Sequence, residues 1–297
     1  MADRPILFTP PKSPYLVPFN GRWKVDKADT APPKDRDGKK AKKKHKKALA
    51  EEVAKLAELQ RRLYAADRHS VLFVFQAMDA AGKDGTIRAV LSGVNPAGVQ
   101  VSSFKKPSDE ELDHDFLWRT TRALPERGRI GIFNRSHYEE VLIVRVHPGI
   151  LTGQRLPKVG KSVWRERFES IRNYEQHLAR NGTAVVKFFL NVSKDEQRDR
   201  LVARIDDETK NWKFEAGDLV SRANWPKYMA AYQSAINATS RPWAPWYTIP
   251  ADDKPFMRAT VASIMRRTLE GLKPKYPSLD EAQTAALAGH RETLLSE

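Results

Sequence analysis

The 297-residue sequence contains no cysteine, no His-Glu-x-x-His pattern and no apolar run near the roughly 18 residues that a bilayer span requires. The first absence excludes disulfides, thiolate nucleophiles and cysteine-ligated zinc, and the second excludes a zinc-protease site of that kind. No transmembrane segment is expected. The amino terminus, MADRPILFTPPKSPYLVP, is broken by prolines and lacks the compact apolar core and small-residue cleavage site of a secretory signal, so a cytoplasmic location is expected. There is no internal repeat and no Asn-Lys-x-Asp guanine signature.

What is present is charge. The formal net charge is +15, of which the seven lysines of KKAKKKHKK (39–47) supply seven, leaving +8 elsewhere. An excess of this size favours a polyanionic partner, whether nucleic acid, an anionic membrane or a phosphate polymer. The run by itself is equally the composition of a solvated tail or helix face.

Residues 1–38 hold seven of the 19 prolines and read as an extended arm; with the lysines they make a basic, proline-rich extension over 1–45. From Leu49 the apolar residues Leu49, Val53, Leu56, Leu59 and Leu63 recur at three- and four-residue steps, predicting one buried helix face. Strands are predicted at 71–75, 99–104, 129–133, 183–192 and 246–249, and helices at 82–91, after the capping box Ser108-x-x-Glu111, at 163–180 and after Ser193-x-x-Glu196. Continuously apolar strands alternating with helices imply an α/β fold, a parallel sheet of about five strands between helices.

The stretch FQAMDAAGKDGT (75–86) follows the strand VLFVF and opens a helix, which is the context of a phosphate-binding loop. The usual pattern is G-x-x-x-x-G-K-[ST]. Here Ala77 stands at the first glycine and Asp84 at the metal-touching hydroxyl. The backbone of Ala80, Ala81, Gly82, Lys83, Asp84 and Gly85 is the candidate phosphate cradle, with Lys83 reaching the terminal phosphates. Asp79 and Asp84 are the candidate ligands of one or two magnesium ions, with manganese able to substitute, because extra carboxylates beside phosphates are reasonable only with cations present.

Two further groups of residues bear on the same chemistry. RIGIFNRSHYEEV places Asn134 where a Walker B acid would sit, followed by Arg135, Glu139 and Glu140. At the carboxyl end of a parallel strand these residues would face the loop, Arg135 neutralising phosphoryl charge and a glutamate orienting nucleotide or metal-bound water. In SKDEQRDRLVARIDDETKNWKF, Arg200 and Arg204 lie four apart on one helical face, as in the helical lid of a nucleotide kinase, here near 198–217. The interspersed acids fit a salt-bridged surface helix equally well.

The runs FQAMDAAGKDGTIRAVLSGVNPAGVQVSSFKKPS, ELDHDFLWR, PERGRIGIFNRSHYEEVLIVRVHP, KFFLNVSKDEQRDRL and WAPWY, spread over residues 45–272, resemble the type-2 polyphosphate kinases, especially the branch acting on both AMP and ADP. The resemblance implies a thymidylate-kinase-like P-loop kinase fold and magnesium-dependent phosphoryl transfer between inorganic polyphosphate and AMP, ADP or ATP. It also implies a homodimer or homotetramer, with neither nucleic acid nor membrane required. It places Asp79, Lys83 and Asp84 in the Walker A loop, the aspartates serving metal binding and nucleophile activation. Asn134 and Arg135 fall in Walker B, and Arg200 or Arg204 in the lid. The family commonly has glycine where this chain has Ala77. Read from the residues alone, an ATP-dependent nucleotide kinase of the same fold and a nucleic-acid-binding P-loop protein remain as alternatives.

Overall fold

The structure is a computed structural model and describes residues 7–157 and 159–297. Five parallel strands, β1 (Ser70–Gln76), β2 (Val99–Ser103), β3 (Ile130–Asn134), β4 (Thr183–Asn191) and β5 (Trp246–Pro250), form one sheet in the order β2-β3-β1-β4-β5. All five occur where the apolar runs predict them, to within a residue or two at each end. Every residue of β1 is buried, and every residue of β4 except Thr183, as a sheet covered on both faces requires. β3 and β4 flank β1 on opposite sides, with Phe75 level with Asn134 and with Phe188. The chain therefore changes direction across the sheet beside β1. The carboxyl ends of β1 and β3 lie next to each other at the switch point where such sheets bind ligands.

Helices α1 (Lys39–Ala66), α2 (Lys83–Val90) and α7 (Lys254–Gly271) pack together, and α3 (Val163–Arg180) packs on β4 and on α6 (Trp225–Thr239). Between them, the stretch 198–217 expected to form a lid takes in the last eight residues of α4 (Lys194–Ile205), a 3₁₀ turn at Asn211–Lys213 and the first two residues of α5 (Ala216–Ala223). α1 starts at Lys39, ten residues before the periodic leucines. The lysine run is thus helix rather than tail, and the boundary expected at residue 45 falls inside it. Lysine and alanine are good helix formers, and docking fixes the first turns: Lys42 pairs with Asp253 at 3.3 Å and the His45 ring lies edge-on to Phe256. The Ser108 capping box forms in full, but its helix is a single turn, Asp109–Leu112. In the expected tail 273–297, helix α8 (Glu281–Leu295) is exposed along its whole length.

The proline-rich arm is extended, as its composition suggests, and it seals the β5 edge of the sheet. Val17 N–H donates to Trp246 O (3.0 Å) and Thr248 N–H to Tyr15 O (2.9 Å), so a short antiparallel segment covers the groups that an edge strand leaves open. Farther along, Asn191 donates to the carbonyls of Ala28 and Asp29, and Trp23 N–H donates to Asn237 on α6.

The fully buried Tyr247 hydroxyl donates to Pro11 O at 2.8 Å. Tyr247→Phe keeps the ring but strands a buried carbonyl, so it should cost about 1–3 kcal/mol, seen as a lower urea midpoint at unchanged m-value. A midpoint equal to wild type would mean that the arm contributes nothing at this point.

Candidate active site

The loop between β1 and α2 turns through two left-handed residues, Ala80 (φ 58°) and Gly82 (φ 102°). Ala77 is not among the left-handed residues, so the alanine found there in place of a glycine is unstrained. The strain falls instead at Ala80, where a Cβ in this region costs roughly 1–2 kcal/mol. Lys83 opens α2, and its ammonium turns back onto Ala77 O (2.8 Å) and Met78 O (3.4 Å). Burial lowers its pKa, while Asp79, the nearest opposing charge, pulls it back up.

Asn134, the last residue of β3, donates its amide to Asp84 Oδ1 at 2.7 Å, tying the strand end to the first turn of α2. The next residue, Arg135, is also left-handed (φ 62°), which swings its guanidinium to Asp79 Oδ1 at 3.3 Å. Burial opposes the Arg135 charge, but Glu139 and Asp79 outweigh it and hold the guanidinium pKa above its ordinary value. Glu139 has its pKa raised by burial, against the pull of Arg135 and Lys83. The Gln76 amide, oriented to satisfy its neighbours, donates to Glu139 Oε1 (2.9 Å) and accepts from the Ser136 hydroxyl (3.0 Å) and N–H (3.2 Å). Two cations and three carboxylates therefore meet at the ends of β1 and β3.

The expected site residues divide at this point. Asp79, Lys83, Asp84, Asn134, Arg135 and Glu139 are brought together. Glu140 is not: it is buried behind the turn, where Arg167 of α3 donates to its carboxylate (3.0 Å) and its carbonyl (2.7 Å), and Gln154 adds a further bond. Helical periodicity cannot distinguish adjacent glutamates in a turn that is a 3₁₀ helix, and burial against Arg167 decides it.

Arg200 also differs from the swinging arginine expected of a lid. Its side chain is only 8 % exposed and bonds Glu196 (2.7 Å), Ala80 O (3.3 Å), Ala81 O (2.8 Å), Ala251 O (2.7 Å) and Asp252 O (3.1 Å). It braces the loop from behind. Glu196 is thereby engaged by Arg200, and of the Ser193 capping box the bond from Glu196 N–H to the Ser193 hydroxyl forms. Arg204 joins α4 to α5 through Lys213 O (2.9 Å) and Asp218 (3.2 Å). The salt-bridged surface reading holds for Arg198, which pairs with Asp195 and Asp199. At the start of α5, burial and then Asp79 raise the Asp218 pKa, and Glu215 adds to the charges that hold the Arg135 pKa up.

Gln76 and Gln197 carry no sequence signal of their own. Gln197, fully buried on α4, donates to Asp79 O at 3.0 Å and fixes that stretch of loop. Among the described residues no group of three or more His, Asp or Glu is preassembled to hold a metal. Asp79 and Asp84 fit magnesium in the other common manner, in which one or two carboxylates join phosphate oxygens and water around the ion.

Replacing Arg200 by lysine keeps the charge but removes the planar fork, leaving carbonyls of the loop and of the β5 end without donors. Arg200→Lys should lower stability by about 2 kcal/mol or more in urea unfolding. A change near zero would show that the brace does not hold the loop.

The sequence profile of the family described as Polyphosphate kinase 2 matches residues 39–277. An ADP-polyphosphate phosphotransferase of Rhodopseudomonas palustris is 58% identical over 250 residues, spanning 83% of this chain and 86% of that protein. An AMP/ADP-polyphosphate phosphotransferase of Meiothermus ruber is 46% identical over 268 residues, spanning 90% and 96%. The crystal structure of polyphosphate kinase 2 from Arthrobacter aurescens TC1 superposes with a TM-score of 0.84 at 37% identity, over 98% of this chain and 100% of that one. With a five-stranded P-loop kinase sheet and its loop and strand ends in this arrangement, the chain belongs to the polyphosphate kinase 2 family.

Proposed function

We propose that this protein transfers a phosphoryl group from inorganic polyphosphate to AMP and ADP. The observation that carries the reading is the carboxylate-rich loop itself. Asp84 stands where a nucleotide kinase has a hydroxyl, and Asp79 sits between Lys83 and Arg135. A long polyanionic donor calls for this combination of cations and metal-holding carboxylates. Magnesium, with manganese able to substitute, would be held by Asp79 and Asp84 and would neutralise phosphate oxygens when bound.

The loop N–H groups and Lys83 take the terminal phosphates of the polymer. Arg135, fixed by Asp79 and Glu139, faces the group in transit. A terminal phosphate oxygen of the acceptor attacks the end phosphorus of the polymer in line. One P–O bond forms as the bridging P–O bond breaks, and the shortened polymer leaves as a phosphate anion. Positioning and charge neutralisation supply the rate, with no covalent intermediate. Closure of the lid stretch near 198–217 over the loop would exclude water. No helix among the described residues is long and apolar enough to cross a membrane. A cytoplasmic homo-oligomer, dimeric or tetrameric, completes the proposal.

The deciding assay offers AMP or ADP with polyphosphate and magnesium and without ATP; ADP or ATP should form. Absence of product there, with turnover restored by ATP as donor, would favour an ATP-dependent nucleotide kinase. Tight DNA or RNA binding with nucleotide hydrolysis would favour a nucleic-acid-binding role.

Lys83→Ala and Asp84→Asn should each lower kcat by about 10² or more, the scale of losing one preorganised charge partner, while circular dichroism and unfolding midpoint stay near wild type. Near-normal turnover of either variant at saturating magnesium would refute the assignment of this loop.

A further inference from the structure

β4 is apolar but for one charge at its centre. The Lys187 side chain is fully buried, and its ammonium donates to Glu175 Oε2 (2.5 Å), Tyr138 Oη (3.0 Å) and Thr239 O (3.0 Å). Tyr138 in turn donates to Glu175 Oε1 at 2.7 Å, closing a three-membered ring of bonds among a strand, helix α3 and the turn after β3. Burial lowers the Lys187 pKa and Glu175 opposes the shift, while Lys187 and His137 outweigh burial at Glu175 and hold its carboxyl below the ordinary value. The presence of the pair argues only weakly for a stabilising role, because buried ion pairs are often replaced by apolar residues of equal volume at no cost.

The location of the ring suggests its use. Tyr138 follows Arg135 by three residues, and the left-handed Arg135 is the point at which the turn aims its guanidinium at Asp79. Above, the turn is pinned by Gln76 on Ser136 and Glu139. Below, the Tyr138 ring stands edge-on to Trp246 (4.8 Å), and its hydroxyl is held by the charged pair. A left-handed arginine persists only where its surroundings over-determine it.

We propose that Tyr138, Glu175 and Lys187 form a positioning device, in which the buried ion pair holds the tyrosine hydroxyl and thereby fixes the turn that presents Arg135. The three residues touch no reacting group. Their catalytic part rests on the phosphotransfer reading above; the anchoring of the turn does not.

Tyr138→Phe keeps the ring packing and removes the hydroxyl. Hydrogen exchange of the peptide spanning 134–142 should rise about tenfold, with the β4 peptide unchanged, since only a local opening is made easier. In the polyphosphate assay, run well below the unfolding midpoint, kcat should fall about tenfold with KM for ADP within about threefold, as for an interaction expressed in the transition state. On an Arg135→Lys background the same substitution should cost little more, because residues acting through one another are non-additive. The double variant Lys187→Met with Glu175→Leu, which replaces the pair by apolar residues and leaves the hydroxyl without either partner, should raise exchange of the 134–142 peptide and lower kcat about as far as Tyr138→Phe does. Wild-type exchange in Tyr138→Phe, wild-type kcat, or a loss fully additive with that of Arg135→Lys would each overturn the proposal, as would a double variant with wild-type exchange and kcat. If the wild-type protein itself turned over no polyphosphate, the proposed function would fail, and the exchange measurement alone would decide whether the ring anchors the turn.

Discussion

The guanidinium of Arg200 is the contact on which the phosphate loop depends. Its five bonds reach two carbonyls in the loop, two at the end of β5 and one carboxylate on its own helix. A loop built to aim N–H groups at an anion necessarily turns carbonyls the other way, and those carbonyls need donors. One planar cation with five donors meets that need from within the protein. It also couples the loop to β5, and hence to the whole width of the sheet.

The remainder of the site is arranged around the same constraint. Gln197 from α4 and Gln76 from β1 hold the loop and the turn by amide bonds that introduce no charge near the phosphates. Left-handed backbone at Ala80, Gly82 and Arg135 brings donors and the guanidinium inward. The strain is local and is distributed over segments whose other bonds are satisfied. Surplus carboxylates at Asp79, Asp84 and Glu139 face Lys83 and Arg135, so the charges are interleaved before any substrate enters.

Much of this was legible in the residues. Apolar runs located four of the five strands, because parallel strands covered on both faces leave no alternation to misread; β2 (VQVSS), an edge strand with no buried residue, is the exception. The loop lysine and the strand-end arginine were legible because strand, loop and helix order fixes where they must lie. Partnership was not legible. Arg200 and Arg204 share a helix face, yet one is locked on backbone carbonyls and the other on Asp218, a choice made by chain segments 51 and 14 residues away. Glu139 and Glu140 are neighbours, and only the packing of Arg167 separates their roles. The lone lysine in TAVVKFFLN was a visible anomaly whose partners came from elsewhere. The helix begun by the lysine run was missed because the apolar period starts later than the helix does.

The pairing of residues 15–17 with β5 joins nearly the first part of the chain to nearly the last strand of the sheet. On the ribosome, the arm emerges more than 200 residues ahead of its binding edge. At the usual ~5–20 residues per second the arm waits for on the order of ten seconds or more, while β1, β3 and β4 assemble without it. Its proline content then acquires a second value: a segment that resists forming strands alone is a poor template for pairing with other nascent chains during that interval.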